Sequence, residues 1–463
     1  MKTRPNILLI LADQQRYDCI GYSGQYPVKT PNIDRLASEG MWFENAFSPI
    51  PVCCPARQSM LHGRRAETFG ALWNYNNGLP VASLDPEAYT WVKDLQNNGY
   101  RTGHVGKWSI HPTYKPDRYG FDDHVGDSDY NAFRKAKYPD VQYVNGYFGE
   151  KDPIPLEDAR THWLAKQAIE LIEKYEEEGV PWLMSIDFPE PHLPCRPAGK
   201  FAEMYKPEEI PPWGSFADTF EGKPYIQKQQ LYSWKIENFS WEDWAPIVAR
   251  YYGVVSQVDD AIGRITDALE KMNVMDDTII IFTSDHGDMC GGHRMIDKHY
   301  VLYEDNVKVP LLIRWPKGVR SGRCSDLICH SLDLPPTILD LLDLPLHDFL
   351  QGRSMRPFLE GKQVDDWRTE VVSTYNGQQF GLYTQRMIRN RKWKYIWNTT
   401  DVDELYNLEE DPHELHNLIY DESLKDLVQE LRRKLYEQLI KDEDGLVVGN
   451  EWMKTQLYHG RKI

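Results

Sequence analysis

The 463-residue sequence is short of cysteine, of cationic charge and of long apolar runs, and each shortage removes a class of protein. Only seven cysteines occur (Cys19, Cys53, Cys54, Cys195, Cys290, Cys324 and Cys329), an odd number without framework spacing. That pattern fits a reducing compartment and leaves at most one or two thiols for chemistry. Lysine and arginine total 53 against 70 aspartates and glutamates, a formal net charge of -17. Nucleic acid and anionic membranes both need a basic face that displaces counterions, so neither is expected as a partner. An anionic substrate would have to be met by a locally basic pocket. The apolar run "NILLILA" in "MKTRPNILLILADQQRYD" is too short to span a bilayer and ends on Asp13 without a signal-peptide cleavage site. It reads as a buried strand, and the protein as cytoplasmic. Low-complexity tracts and internal repeats are also lacking, so nothing points to disorder.

What the sequence does contain is alternation. With 41% hydrophobic and 27% charged residues, the chain suffices for one large α/β unit with an appendage or for two domains. The apolar, β-rich runs "NILLILA", "YRTGHVG", "PWLMSIDF", "TIIIFTSD" and "VPLLIRW" are predicted strands. "TPNIDRLASEG", "THWLAKQAIELIEKYEEEG" and "VDDAIGRITDALEKMN" repeat apolar residues at helical spacing. Such alternation packs helices on a mostly parallel or mixed sheet. Two stretches, from about Lys115 to Pro155 and from Arg196 to Trp241, lack clean periodicity and are rich in aromatics and turn residues, as lids and binding walls are. Beyond "GRSMRPFLEGK" the pattern changes to short segments, "EVVSTY", "GLYTQRMIRN", "KWKYIWN" and "DELYNL", then to the helix-like "ESLKDLVQELRRKLYEQLI". The expected organisation is a catalytic α/β domain over residues 1–363 and a smaller antiparallel β/α subdomain over 364–463.

Polar residues gather where several predicted strands stop: Asp13 and Gln14, then Lys107, then Asp285 and His286. Ligands of open α/β sheets bind beyond the carboxyl ends of the strands, so these residues are expected to share one crevice. Carboxylates with an amide suit a hard cation such as Ca2+, Mg2+ or Mn2+, whereas Zn2+ draws more His or Cys; His286 leaves the choice open. Taken singly, an Asp after a strand is equally a cap or turn residue. In "PVCCPARQSMLHGR", Pro55 suits the first turn of a helix, which puts Cys53 and Cys54 near the positive end of its dipole. Arg57, on the same turn, reaches back toward Cys53. A reactive thiolate is one reading of these cysteines, and small buried hydrophobes is the other. Lys107 in "GHVGKWSIH", His192 in "FPEPHLPCRP" and Lys298 in "MIDKHY" are candidate anion clamps and proton donors, although most such residues are solvated or structural.

Together these stretches resemble the type I, formylglycine-dependent sulfatases of the alkaline phosphatase superfamily. "CCPARQSMLHGR" is similar to their C-x-P-x-R signature, with Cys53, Pro55 and Arg57 on the pattern and Cys54 at its variable place. The similarity continues in order through "RPNILLILADQQR", "TPNIDRLASEGMWFENAF", "GYRTGHVGKW", "FTSDHGDM", "YEDNVKVPLLIRWP", "SLDLPPTILDLL" and "WKYIWNTTDVDELYNLEEDPHELHNL", nearly the whole chain. The resemblance implies an alkaline-phosphatase-like α/β fold, a large mixed sheet sandwiched by helices with a smaller C-terminal antiparallel sheet plus helix. It implies that a formylglycine-generating or radical maturase enzyme oxidises Cys53 to formylglycine. One hydroxyl of the hydrated aldehyde would then attack sulfur and the other expel sulfate, an internal exit that serine lacks. By the same carry-over, Asp13, Gln14, Asp285, His286 and the modified Cys53 hold the metal. Arg57 would orient the gem-diol, Lys107 and Lys298 would bind sulfate oxygens, and His192 would protonate the leaving oxygen, a task Lys298 could share. One departure stands out. The K-W-H of many sulfatases is here Lys107-Trp108-Ser109, which leaves the release step without its usual base; His111 is the candidate substitute, with water or Lys107 the alternatives.

The expected activity is hydrolysis of a sulfate monoester of a small sulfated saccharide. Trp73, Asn74, Tyr75 and Asn76 mix stacking faces with amide donors that suit a sugar ring, and Arg196 could pair with a uronate; loop packing and a surface role are the plain alternatives. A phosphonate monoester or phosphodiester hydrolase of the same superfamily is the runner-up, disfavoured because those relatives usually carry no lysine at the Lys107 position. A silent binding protein is disfavoured by a plausible donor at every metal position, and an unmodified cysteine hydrolase by the lack of an evident Cys–His pair.

Overall fold

Eight consecutive buried residues, Asn6–Asp13, form β1 at the centre of a nine-stranded mixed sheet. The structure is a computed structural model that describes residues 4–75, 77–78, 80–377 and 382–460. β1 pairs in parallel with β5 (Trp182–Pro191) on one side and β6 (Thr278–Thr283) on the other. β3 (Arg101–Gly106) and β4 (Asp123–Gly126) continue the parallel array beyond β5. On the opposite flank β8 (Leu311–Arg314) runs antiparallel to β6 and to β2 (Met41–Phe47), with which β7 (Lys308–Val309) and β9 (Gly322–Cys329) also pair. Pro310 separates β7 from β8 within the predicted run "VPLLIRW", because proline has no N–H for the ladder.

A strand buried on both faces reads as a continuous apolar run, and both faces of this sheet are covered by helices. Helices Cys53–His62, Trp91–Asn97 and His330–Leu341 pack Met60, Leu61, Val92, Leu95, Ile338 and Leu339 on one face. Helices Pro31–Glu39, Arg160–Glu178 and Trp241–Lys271 pack Leu36, Leu164, Ala168, Ile172, Ile262 and Ile265 on the other. The expected helix from Val258 proves to be the second half of a 31-residue helix that begins at Trp241. The aperiodic stretches hold helices Asp127–Lys137 and Tyr225–Trp234 among 3-10 turns.

A four-stranded antiparallel sheet follows in the order β10 (Val371–Asn376), β11 (Thr384–Arg389), β12 (Trp393–Asn398) and β13 (Glu404–Asn407). Successive side chains of a strand point to opposite faces, and here both faces are buried. Val372, Ile388, Tyr395, Trp397 and Leu405 lie under Leu431, Leu435 and Leu439 of helix Lys425–Lys441. Val371, Tyr375, Met387, Ile396 and Tyr406 join an apolar cluster with Trp244, Ile296 and Tyr300 through Tyr303, so this sheet packs against the segment that carries Lys298. The architecture is the expected large mixed sheet between helices, with a small C-terminal antiparallel sheet plus helix. Among the described residues no helix is long and apolar enough to cross a membrane.

Leu435 is fully buried between helix and sheet. Leu435→Ala is therefore expected to destabilise the protein by about 2–5 kcal/mol, read as a lowered denaturation midpoint in urea.

Candidate active site

The carboxyl ends of β1, β3, β5 and β6 lie on one edge of the sheet, and the N-terminus of helix Cys53–His62 meets them there. That helix starts at Cys53 after the extended Val52, ends on Gly63 in the left-handed region (φ 75°), and is buried from Cys53 through Leu61. Its first turn has backbone N–H groups without helical partners. The Cys54 N–H donates to Asn74 Oδ1 at 2.9 Å.

Four side chains converge at this point. Single ligand atoms of Asp13, Cys53, Asp285 and His286 lie within 4.8 Å of one another, all of them buried. Cys53 Sγ is 3.2 Å from His286 Nε2 and 3.7 Å from Asp13 Oδ1. His286 Nδ1 is 2.8 Å from the Gly287 carbonyl, which can only accept, so Nδ1 donates and Nε2 is the ring nitrogen that faces the cluster; burial pulls the imidazole down, but Asp285 and Cys53 outweigh it and push it up. Burial and the Asp13 charge push the Asp285 carboxyl up and outweigh His286 and Arg57, as for one of two carboxylates that share a site. An imidazole nitrogen beside two such carboxylates is a donor set that fits a divalent cation. Gln14 takes positive φ at the end of β1, where its backbone N–H bonds Asp285 Oδ1 at 3.1 Å. Its side-chain oxygen accepts from Lys298 at 3.0 Å, and its amide nitrogen donates to Asp288 and Asp297.

Arg57 binds the strand ends together. Its guanidinium donates to Asp285 Oδ2 at 2.8 Å, Asp187 Oδ2 at 2.7 Å and Asp13 Oδ2 at 2.9 Å. Lys107 Nζ reaches the same Asp13 oxygen at 2.6 Å. Burial pushes the Asp13 carboxyl up, but Lys107 and Arg57 outweigh it and hold it well below the usual carboxylate range. Cys53 follows the same pattern: burial and Asp13 raise its thiol, and Lys107, Lys298 and His286 overcome them, so the net shift is well downward. Cys54, one residue on, is pushed up to about 12 by burial and by Cys53.

Across the cluster, His192 follows β5 and Lys298 lies in the irregular segment after β6. Lys298 Nζ is 2.7 Å from His192 Nε2, while His192 Nδ1 donates to the Leu193 carbonyl at 2.6 Å. The lysine also bonds Asp297 at 3.1 Å. Asp13, Gln14, Cys53, Arg57, Lys107, His192, Asp285, His286 and Lys298 thus form one connected group.

The remaining sequence candidates are placed differently. His111 is outside this group; its Nδ1 accepts from the Thr113 and Tyr114 N–H groups, both at 3.0 Å, and its ring lies on Tyr114. Ser109 at positive φ turns the loop before it. Trp73 is buried and so offers no open face for a sugar to stack on, and Asn74 spends its oxygen on the Cys54 N–H. Tyr75 sits beside Cys54, half-buried. Asn76 lies outside the described residues. Arg196 stacks on Tyr143, with its guanidinium carbon 3.8 Å from the ring centroid.

Sequence reasoning passed over Asp187, Asp288 and Asp297, and with them His104, a buried ring whose Nε2 is 3.9 Å from Asp187 Oδ1. Asp187 carried the same signal as Asp13, an aspartate near the end of an apolar β-run. The fold also creates the Cys53–His286 contact across 233 positions, a pair that only the family resemblance had brought to one site.

Residues 5–344 match the Sulfatase family model, and residues 291–441 match the family described as N-sulphoglucosamine sulphohydrolase, C-terminal. An arylsulfatase of Clostridium perfringens is 29% identical over 97% of this chain and 98% of its own length. An N-acetylglucosamine-6-O-sulfatase of Bacteroides thetaiotaomicron is 26% identical over 96% of this chain and 89% of its own. The solved phosphonate monoester hydrolase of Agrobacterium radiobacter is 26% identical with a TM-score of 0.80, covering 96% of each chain. Fold and comparisons define a hydrolase of sulfuric esters. The chain belongs to the sulfatase family of the alkaline phosphatase superfamily.

Two outcomes are expected from this geometry. Arg57→Lys leaves carboxylates buried without their partner and should cost about 3–5 kcal/mol of stability, measured by chemical denaturation. In chain still carrying cysteine at position 53, its downward-shifted thiol ionises at lower pH than that of Cys54, which is pushed up to about 12. Alkylation at pH 7 should therefore label Cys53 well ahead of Cys54 in peptide mass spectra, with the gap closing as pH approaches 12.

Proposed function

We propose that this enzyme hydrolyses the sulfate monoester of a small sulfated saccharide, with Cys53 converted to formylglycine by a maturase and a divalent cation held beside it. The observation that carries this reading is the convergence on Cys53 of three further donors, Asp13, Asp285 and His286, and of two lysines, in a chain of net charge -17. Asp13, Gln14, Asp285 and His286, with the modified residue 53, would hold Ca2+ or else Mg2+ or Mn2+, which supplies Lewis acidity toward a sulfuryl oxygen. Formylglycine supplies a hydrated aldehyde with two hydroxyls, one to attack sulfur and one to expel sulfate.

The protein's own groups divide the remaining work. Lys107 and Lys298 offer fixed positive charge to the sulfuryl oxygens, in a buried setting where such charge acts strongly. Arg57 holds the strand ends that carry Asp13 and Asp285, and so the position of residue 53 between them. His192 and Lys298 share a hydrogen bond along which one proton can pass, and the leaving oxygen takes that proton from the His192 side. With Ser109 in place of a histidine and His111 turned to its own loop, Lys107 or water would serve the release step. We assign the catalytic role to residues 1–363, with 364–463 as the bracing subdomain, and a cytoplasmic setting in keeping with seven unpaired cysteines.

A sugar sulfate is supported by the saccharide sulfatase among the relatives. The phosphonate monoester hydrolase, with its equal coverage and TM-score of 0.80, keeps phosphonate and phosphate diesters as the second reading. A parallel screen of sulfated saccharides, an aryl sulfate, an alkyl sulfate and a phosphonate ester distinguishes them. The highest kcat/KM is expected on a sulfated saccharide, and preference for the phosphonate would overturn the proposal. Peptide mass analysis around residue 53 should show sulfur lost and an aldehyde gained. Cys53→Ala should abolish turnover, Cys54→Ser should leave it nearly unchanged, and chelation should remove activity that added divalent cation restores.

A further inference from the structure

The chemistry at Cys53 leaves the long lid segments unexplained, and two of them meet in a solvent-facing aromatic pair. Tyr147 is 60% exposed, and its ring stands edge-on, 5.3 Å from that of Trp234, which is half-buried at the end of helix Tyr225–Trp234. Each partner is tied to one half of the His192–Lys298 dyad. On the Tyr147 side, Phe148 packs in one apolar cluster with Leu193, the neighbour of His192. Gly149 presses so closely on the Cys195 backbone that a side chain there would strike it. On the Trp234 side, Gln230 donates to the carbonyl of His299, the neighbour of Lys298, and Trp234 packs on the cluster containing Ile296 and Tyr300. Tyr147 and Trp234 therefore belong to segments that pack against the neighbours of both dyad residues. Arg196, four residues beyond His192, lies flat on Tyr143 in the same wall, and its Nε is buried without a hydrogen-bond partner.

We propose that Tyr147 and Trp234 form an outer subsite that stacks the second ring of a sulfated di- or oligosaccharide, with Arg196 meeting a carboxylate or sulfate on that ring. This rests on the sulfate-ester reading of the Cys53 site. The CH face of a pyranose is apolar, and open aromatic rings beside a polar crevice cover it while the sugar hydroxyls stay wet. A protein of net charge -17 repels an anionic saccharide unless a cation is presented where the chain leaves the catalytic crevice, and Arg196 is placed to present one.

The test uses the full-length matured enzyme with a monosaccharide sulfate, a disaccharide sulfate with a neutral second ring, and one with an anionic second ring. Tyr147→Ala and Trp234→Ala are expected to lower kcat/KM on both disaccharides roughly tenfold more than on the monosaccharide, mainly through KM. Trp234→Phe should recover most of the loss, and monosaccharide turnover close to wild type in each variant excludes a folding defect. Arg196→Gln should lose several-fold on the anionic second ring alone. Equal losses on mono- and disaccharide, or a wild-type enzyme without preference for the disaccharides, would overturn the subsite while leaving the sulfatase reading intact. Failure of the wild type to release sulfate from all three would instead overturn that reading, and the subsite with it.

Discussion

Everything at the candidate site hangs on one guanidinium. Arg57 projects from the first turn of a helix into the space between parallel strand ends and pairs there with Asp13, Asp187 and Asp285, which come from β1, β5 and the segment after β6. Three carboxylates packed this closely in a dry interior would repel one another and take up protons. A lysine carries its three donors on a single nitrogen; the forked, always-charged guanidinium spreads five over a plane and so meets three carboxylates from three different strand ends. Once Arg57 is in place, Asp13 keeps its second oxygen toward Cys53, and the helix N-terminus is held against the strand ends.

The excess of negative charge is resolved locally by the same logic. Lys107 shares the Asp13 oxygen with Arg57, and Lys298 is held by Asp297, Gln14 and His192. Each lysine is kept charged by acidic neighbours that outweigh its burial, so both hold positive charge beside the strand ends. Acidic residues elsewhere on the surface maintain solubility without weakening that field, because screening confines it to short range.

Lys298 lies in a stretch whose backbone takes positive φ at Cys290, His293, Arg294, Asp297 and Tyr300, conformations that persist only where surrounding contacts over-determine them. Those contacts come from residues 213–239, where Trp213 donates to the Cys290 carbonyl, Asp218 bonds His293 and Gln230 donates to the His299 carbonyl, and the C-terminal sheet holds the end of the segment. Lys394 of β12 pairs with both Glu304 and Glu414, and Arg389 of β11 pairs with Glu304. Asn306 turns back to the Lys298 carbonyl, and Tyr303 bonds Glu404 of β13. The small sheet thus braces the end of that loop with one face, while helix Lys425–Lys441 covers the other.

Much of this was legible in the residues themselves. Central strands such as Asn6–Asp13 announce themselves because burial on both faces demands an unbroken apolar run, and the C-terminal strands and helix because their periodicity is strong. The polar residues that end those strands could be named for the same reason: polarity directly after such a run has to be satisfied somewhere. β2 and β9 were illegible, since "MWFENAF" and "GRCSDLIC" mix polar residues into half-covered strands. Residue type and local pattern thus determined which groups were available for chemistry. Tertiary structure decided the contacts they make: Cys53 with His286 and His192 with Lys298, pairs that the resemblance had placed in one site without showing how they touch, Arg57 with Asp187, and His111 with none of these. The physical reason is that each meeting joins residues from 106 to 233 positions apart, and only sheet pairing and helix packing set those distances.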